Sequence, residues 1–144
     1  VCISVQRIFV HDDVFDPFVE GFTAAASALR LGDPLDPRTD LGPMVDQKAA
    51  LRTQAWVDEA VAMGGRVLLG GKADGTFFAP TILADTPVEA RVCSQEAFAP
   101  LVVLFRFSDF DDAIRRVNTG SRSASSRTTW PTRSARSTSW RWAG

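Results

Sequence analysis

Cys2 carries the most nucleophilic side chain in the sequence. It sits in a short uncharged run, Val1-Cys2-Ile3-Ser4-Val5-Gln6, closed by Arg7. A thiol placed there has two uses. As a thiolate it attacks electrophilic carbon; as a buried thiol it is a small hydrophobe. The local residues leave both open. The second cysteine, Cys93, reads as a buried structural thiol. Glu96 alone reads as a solvated carboxylate, and Phe98 alone as a core aromatic. His11 has no Cys or second His at ligand spacing, so no metal site is expected. Gly64-Gly65 and Gly70-Gly71 punctuate turns; neither opens a helix after a strand, as a phosphate-binding loop does.

These residues need a scaffold, and 144 residues with 45% hydrophobic and 23% charged side chains suffice for one packed domain. Two cysteines make no disulfide framework and fit a reducing compartment, so a cytoplasmic location is expected. No apolar run nears the roughly 18 residues that span a bilayer, and no secretory leader is visible. Charge is unevenly spread. Residues 1–118 hold 11 basic and 17 acidic side chains, a net −6, whereas residues 119–144 hold five arginines and no acid.

The pattern predicts a strand at Ile8-Phe9-Val10, then a helix from Val14 to Leu31 capped by Asp12 or Asp13. Its apolar stripe is Phe15, Phe18, Val19, Phe22, Ala25, Ala26 and Leu29, and Gly32 is the expected stop. Residues 33–43 hold Pro34, Pro37 and Pro43, which exclude helix and central strand. Asp46 is read as the cap of a second helix, Gln47 to Met63, with Ala50, Leu51, Ala55 or Trp56, and Val61 or Ala62 near one face. A strand at Arg66–Leu69, a polar turn at Lys72–Thr76 and an extended Phe77–Leu83 follow. Val88–Val92 is read as a turn or short strand. Leu101–Phe107, continuously apolar apart from Arg106, predicts a strand buried on both faces. A helix from Asp111 to Asn118 capped by Asp109 closes the pattern. The expectation is an α/β fold with helices packed on a mostly parallel sheet.

Residues 119–144 break that pattern. They hold seven Ser, five Thr, five Arg and three Trp, with no Val, Ile, Leu, Met or Phe. Such a tail is expected to be disordered, because it has little apolar surface to offset the entropy of ordering.

Four separated motifs resemble the aldehyde dehydrogenase superfamily. They are Val1-Cys2-Ile3-Ser4-Val5-Gln6-Arg7; Gly32-Asp33-Pro34-Leu35-Asp36-Pro37 with Leu41-Gly42-Pro43; Gly75-Thr76-Phe77-Phe78-Ala79-Pro80-Thr81-Ile82; and Gln95-Glu96-Ala97-Phe98-Ala99-Pro100. Order and spacing match across residues 1–118, read as part of that family's catalytic domain. The resemblance implies that Cys2 attacks an aldehyde to give a thiohemiacetal, which passes hydride to NAD or NADP and leaves a thioester. It implies that Glu96 binds the nicotinamide-ribose hydroxyls, that Phe98 packs beside the nicotinamide, and that Val1 and Ile3 shape the pocket of a small aldehyde. Family members are expected to be homo-oligomers, without membrane or metal.

Ala99 stands where the family has Gly, and Gln95 where it has Glu. The family's cofactor domain, general-base Glu and oxyanion Asn precede the thiol, so these 144 residues alone are expected to be inactive. Codons can be chosen for Arg122-Ser123-Ala124-Ser125-Ser126 that spell Phe-Gly-Leu-Gln one base out of register. That run follows Asn118 shortly in the family, so the tail is read as a frameshift near Gly120. Two non-catalytic readings rank below the enzyme: a fragment that pairs with full-length subunits, and a nucleic-acid or partner-binding module using the Arg/Trp tail.

Overall fold

The computed structural model describes residues 5–120. Val1, Cys2, Ile3 and residues 121–144, most of the expected tail, lie outside them.

Strand β1 (Arg7–His11) leads into helix α1 (Asp12–Ser27). The helix begins earlier than expected because its cap is His11, whose Nδ1 accepts the Asp13 amide at 3.2 Å. It also ends four residues sooner than the stripe predicts. The Arg30 carbonyl accepts the amides of Asp40 and Leu41, and the Gly32 amide donates to the Leu41 carbonyl. Residues 30–32 are thereby drawn out to pair with the end of the proline-rich loop. Gly32 is not a helix stop; a Cβ there would lie 2.7 Å from Thr39 Oγ1.

Helix α2 (Gln47–Ala62) is capped by Asp46 as expected, its Oδ1 accepting the Ala49 amide at 2.6 Å. The buried face is Ala49, Ala50, Thr53, Trp56, Val57 and Ala60. Leu51, Ala55 and Val61 are exposed, which corrects the predicted face. Thr53 can join this apolar face because its hydroxyl donates to the Ala49 carbonyl at 2.9 Å.

Strand β2 (Arg66–Leu69) precedes a hairpin of β3 (Ala73–Asp74) and β4 (Phe77–Phe78), then β5 (Thr81–Ala84). Val88–Ala90 form the expected turn, the Ala90 amide donating to the Pro87 carbonyl at 3.1 Å, and residues 91–94 continue it as a short helix, α3, not a strand. It buries Val92 and Cys93 together, which an extended chain would send to opposite faces. Strand β6 (Leu101–Phe107) and helix α4 (Phe110–Gly120) complete the described chain. Asp109 Oδ1 accepts the Asp112 amide at 2.7 Å and so caps α4.

The sheet order is β1-β6-β5-β2. β6 is parallel to both β1 and β5, and β2 is antiparallel to β5. Along β6 the period of two divides the core. Leu101, Val103 and Phe105 join Trp56, Val57, Ala60, Val92 and Cys93 on one face. Val102 and Leu104 join Phe15, Phe18, Val19 and Phe22 of α1 on the other. Helices therefore cover both faces of a mostly parallel sheet, and each fully buried aliphatic or aromatic side chain contributes about 1.5–3 kcal/mol.

Candidate active site

Gln6, the residue before β1, lies four positions after Cys2. Its backbone carbonyl accepts the Val103 amide at 2.9 Å, adding one rung to the β1–β6 pairing. Its carboxamide turns toward α3. Nε2 donates to the carbonyls of Val92 at 2.7 Å and Gln95 at 2.8 Å. Oε1 accepts the Ala97 amide at 2.9 Å. One side chain thus satisfies the end of a four-residue helix and the loop beyond it. The sequence reading missed Gln6, because nothing in its neighbours identifies partners 86 to 91 positions away.

That loop holds two of the predicted site residues. Ala97 is buried and pinned by Gln6, while Glu96 and Phe98 on either side of it are exposed, Phe98 by 58%. The expectation that Phe98 on its own would be core is thus overturned. Glu96 forms no hydrogen bond or ion pair among the described residues. An exposed carboxylate and an exposed aromatic ring two residues apart can accept hydroxyl donors and pack on a flat heterocycle. The fold brings this loop to the segment that follows Cys2, whereas Val1, Cys2 and Ile3 themselves lie outside the described residues.

Ala99 fits its place without strain. Asp85 is the one non-glycine residue with positive φ among the described residues, so Ala99 does not need the freedom of glycine. The Ala99 amide donates to the Ala97 carbonyl, and the Leu101 amide to the Ala99 carbonyl, a tight double turn into β6.

Cys93 is 4% exposed, and burial pushes its thiol up to about 11, with the nearby Arg7 charge opposing. At neutral pH it is a protonated core side chain and not a nucleophile. His11 serves as the helix cap described above. Among the described residues, no group of three His, Cys, Asp or Glu gathers as a metal site, and no helix is long and apolar enough to cross a membrane.

The third motif is structural. The Thr81 hydroxyl donates to the Ala79 carbonyl and accepts the Gly71 amide, both at 2.8 Å. Gly70 at φ +70° packs so closely on Pro80 that a Cβ would press into the proline's carbonyl oxygen. Thr81, Gly70 and Gly71 thereby lock β5 beside the end of β2.

A sequence profile of the aldehyde dehydrogenase family matches residues 1–135. The chain belongs to the aldehyde dehydrogenase family. Over 118 residues it is 44% identical to 3-sulfolactaldehyde dehydrogenase of Priestia aryabhattai, covering 82% of this chain and 25% of that protein. Over 120 residues it is 42% identical to the NADP(+) succinate-semialdehyde dehydrogenase of Escherichia coli, covering 81% and 25%. Among solved structures, aldehyde dehydrogenase 21 of Physcomitrella patens in complex with the reaction product succinate superposes with a TM-score of 0.80. The two are 43% identical over 82% of this chain and 24% of that one. The chain spans about a quarter of the length of these aldehyde dehydrogenases.

Proposed function

We propose that this chain supplies the nucleophile and part of the nicotinamide contact of an NAD(P)-dependent aldehyde dehydrogenase. The observation that carries the reading is the tie between the segment following Cys2 and the loop bearing Glu96 and Phe98, made by one carboxamide. Cys2 is the nucleophile, since Cys93 is buried and protonated. Its thiolate adds to the aldehyde carbon to form a thiohemiacetal, and the new oxyanion takes a hydrogen bond from a backbone amide at Cys2. Glu96 holds the nicotinamide-ribose hydroxyls and Phe98 stacks beside the ring. A bound NAD or NADP supplies the acceptor for the hydride whose departure turns the thiohemiacetal into a thioester. Water then releases a carboxylic acid. Val1 and Ile3 flank the thiol and shape the pocket.

The relatives' names supply the substrate class. Sulfolactaldehyde and succinate semialdehyde are both small aldehydes with a terminal anion, and such an aldehyde is the proposed substrate. Residues 1–118 form the catalytic-domain segment and 119–144 a frame-shifted tail, which sequencing the coding DNA around codon 120 tests. Homo-oligomeric assembly and a cytoplasmic location belong to the same reading.

The family's general-base Glu and oxyanion Asn have no counterpart assigned in residues 1–144, so the chain alone is expected to give no turnover. The decisive experiment exchanges residues 1–118 for the matching segment of the Escherichia coli relative. The chimera is expected to oxidise succinate semialdehyde with NADP, and Cys2→Ala to abolish it. Undiminished activity of a folded Cys2→Ala chimera would refute the assignment.

A further inference from the structure

The segment Gln95–Phe98 makes little secondary structure of its own. The Gln95 amide closes α3 on the Arg91 carbonyl, and the Ala99 amide closes a tight turn on Ala97. The Gln95 carbonyl and the Ala97 amide between them are both satisfied by Gln6, as is the Val92 carbonyl at the end of α3. Both amide hydrogens of Gln6 are donated and its oxygen accepts. A flipped carboxamide would face two carbonyls with an oxygen and an amide with an NH2 group, so its orientation is fixed. The same residue's main chain is held by Val103. Gln6 is therefore immobilised from both ends, four residues from Cys2.

We propose that Gln6 is a positioning residue that sets the placement of the Glu96–Phe98 loop relative to the thiol segment. The inference rests on the function proposed above for Cys2, Glu96 and Phe98, yet its physical content is a coupling between two segments that is measurable without turnover. Dinucleotide binding and thiol attack need their groups registered to within fractions of an ångström. A side chain shared by both segments transmits a displacement of either one to the other. Arg7, the next residue, makes no hydrogen bond to this loop among the described residues; its Nη2 donates to the Val117 carbonyl of α4 at 3.2 Å.

The test compares the full chain with Gln6→Met, which keeps the length and loses the polar ends, and with Gln6→Glu. Hydrogen exchange is read at Ala97 and, as the sheet reference, at Leu104 and Phe105. The rate of iodoacetamide alkylation at Cys2 is read by mass spectrometry. In Gln6→Met, Ala97 protection is expected to fall at least tenfold with the sheet amides held within threefold, and the Cys2 rate to shift at least threefold. In Gln6→Glu the carboxylate can accept the Ala97 amide but has no hydrogen for the Val92 and Gln95 carbonyls; protonation returns one donor, so acidification is expected to bring Ala97 protection and the Cys2 rate back toward those of the parent at the same pH. Unchanged Ala97 exchange and Cys2 reactivity in Gln6→Met overturn the proposal. Equal loss across Ala97 and the sheet amides, with no recovery of Gln6→Glu on acidification, also overturns it, because Gln6 then serves only the fold. An inactive chimera beside a positive result in these two readouts would sink the proposed activity and leave the coupling standing.

Discussion

Phe9 stacks on Phe105 across the β1–β6 pair, with ring centroids 4.9 Å apart and planes 19° from parallel. The two are register partners in a parallel ladder, and the Arg116 guanidinium lies over both rings at 5.5 and 5.2 Å. Phe105 is buried and Phe9 half-buried. This stack holds the strand that follows the thiol segment. Phe105→Ala is expected to cost about 3–5 kcal/mol, and Phe9→Ala about half as much. The double variant should fall short of the sum by about 0.5–1.5 kcal/mol. Urea unfolding of the four proteins measures this, and strict additivity would contradict a direct stack.

The two cysteines should separate by reactivity. In the native chain at pH 8, iodoacetamide is expected to modify Cys2 and to spare Cys93, with both labelled after unfolding; peptide mapping reads the sites. Cys93 also makes stability depend on alkali. Its thiol is neutral in the fold up to about 11 but ionises near 9 when unfolded. Its contribution is therefore complete below pH 9 and is lost as pH rises toward 11, about 2–3 kcal/mol in all. Cys93→Ala should flatten the urea midpoint between pH 8.5 and about 10.5, and an unchanged slope would be the contrary result.

Gly70→Ala should be among the most damaging single-methyl additions. The site combines φ +70° with a backbone carbonyl in the path of the new Cβ. The dihedral alone accounts for about 1–3 kcal/mol, and the Pro80 contact adds to it. Gly75→Ala shares the positive φ at +57° but meets open space, so it should cost less than Gly70→Ala. Comparing their thermal midpoints tests the clash separately from the dihedral.

Phe98→Ala and Glu96→Gln should leave stability within about 0.5 kcal/mol of the parent, because both side chains are exposed. In the chimera both should raise the KM for NADP. A Phe98→Ala variant that unfolds early would place that ring in the core instead.

Much of the scaffold was legible from spacing. The apolar run Leu101–Phe107 reads as the central strand because both of its faces are covered by helices. Asp46 and Asp109 read as caps because their carboxylates have amides two or three residues on to accept. The errors come from hydrogen bonds and burial that apolar spacing does not show. Helix α1 stops short of Gly32 because residues 40 and 41 claim the Arg30 carbonyl. On α2, Thr53 joins the buried face with its hydroxyl satisfied by the Ala49 carbonyl. The expected turn at Val88 runs on into α3, where Val92 and Cys93 are both buried. Within the site, only the resemblance pointed to Glu96 and Phe98; composition and spacing read them as a solvated carboxylate and a core ring, and the ring is exposed. Gln6 left no trace, since a glutamine ahead of a strand is ordinary until its partners across the chain are known.

The parallel pairing of β1 with β6 also has a consequence for the order of synthesis. Phe9 leaves the ribosome 96 residues before Phe105, its partner across the ladder. At roughly 5–20 residues per second, that interval is about 5–20 s. Throughout it β1 lacks β6, its partner among the described residues, and the edge that β6 will cover is open to any other extended chain. A strand made well before its partner is therefore completed late, and nascent chains are most vulnerable to mispairing during that wait.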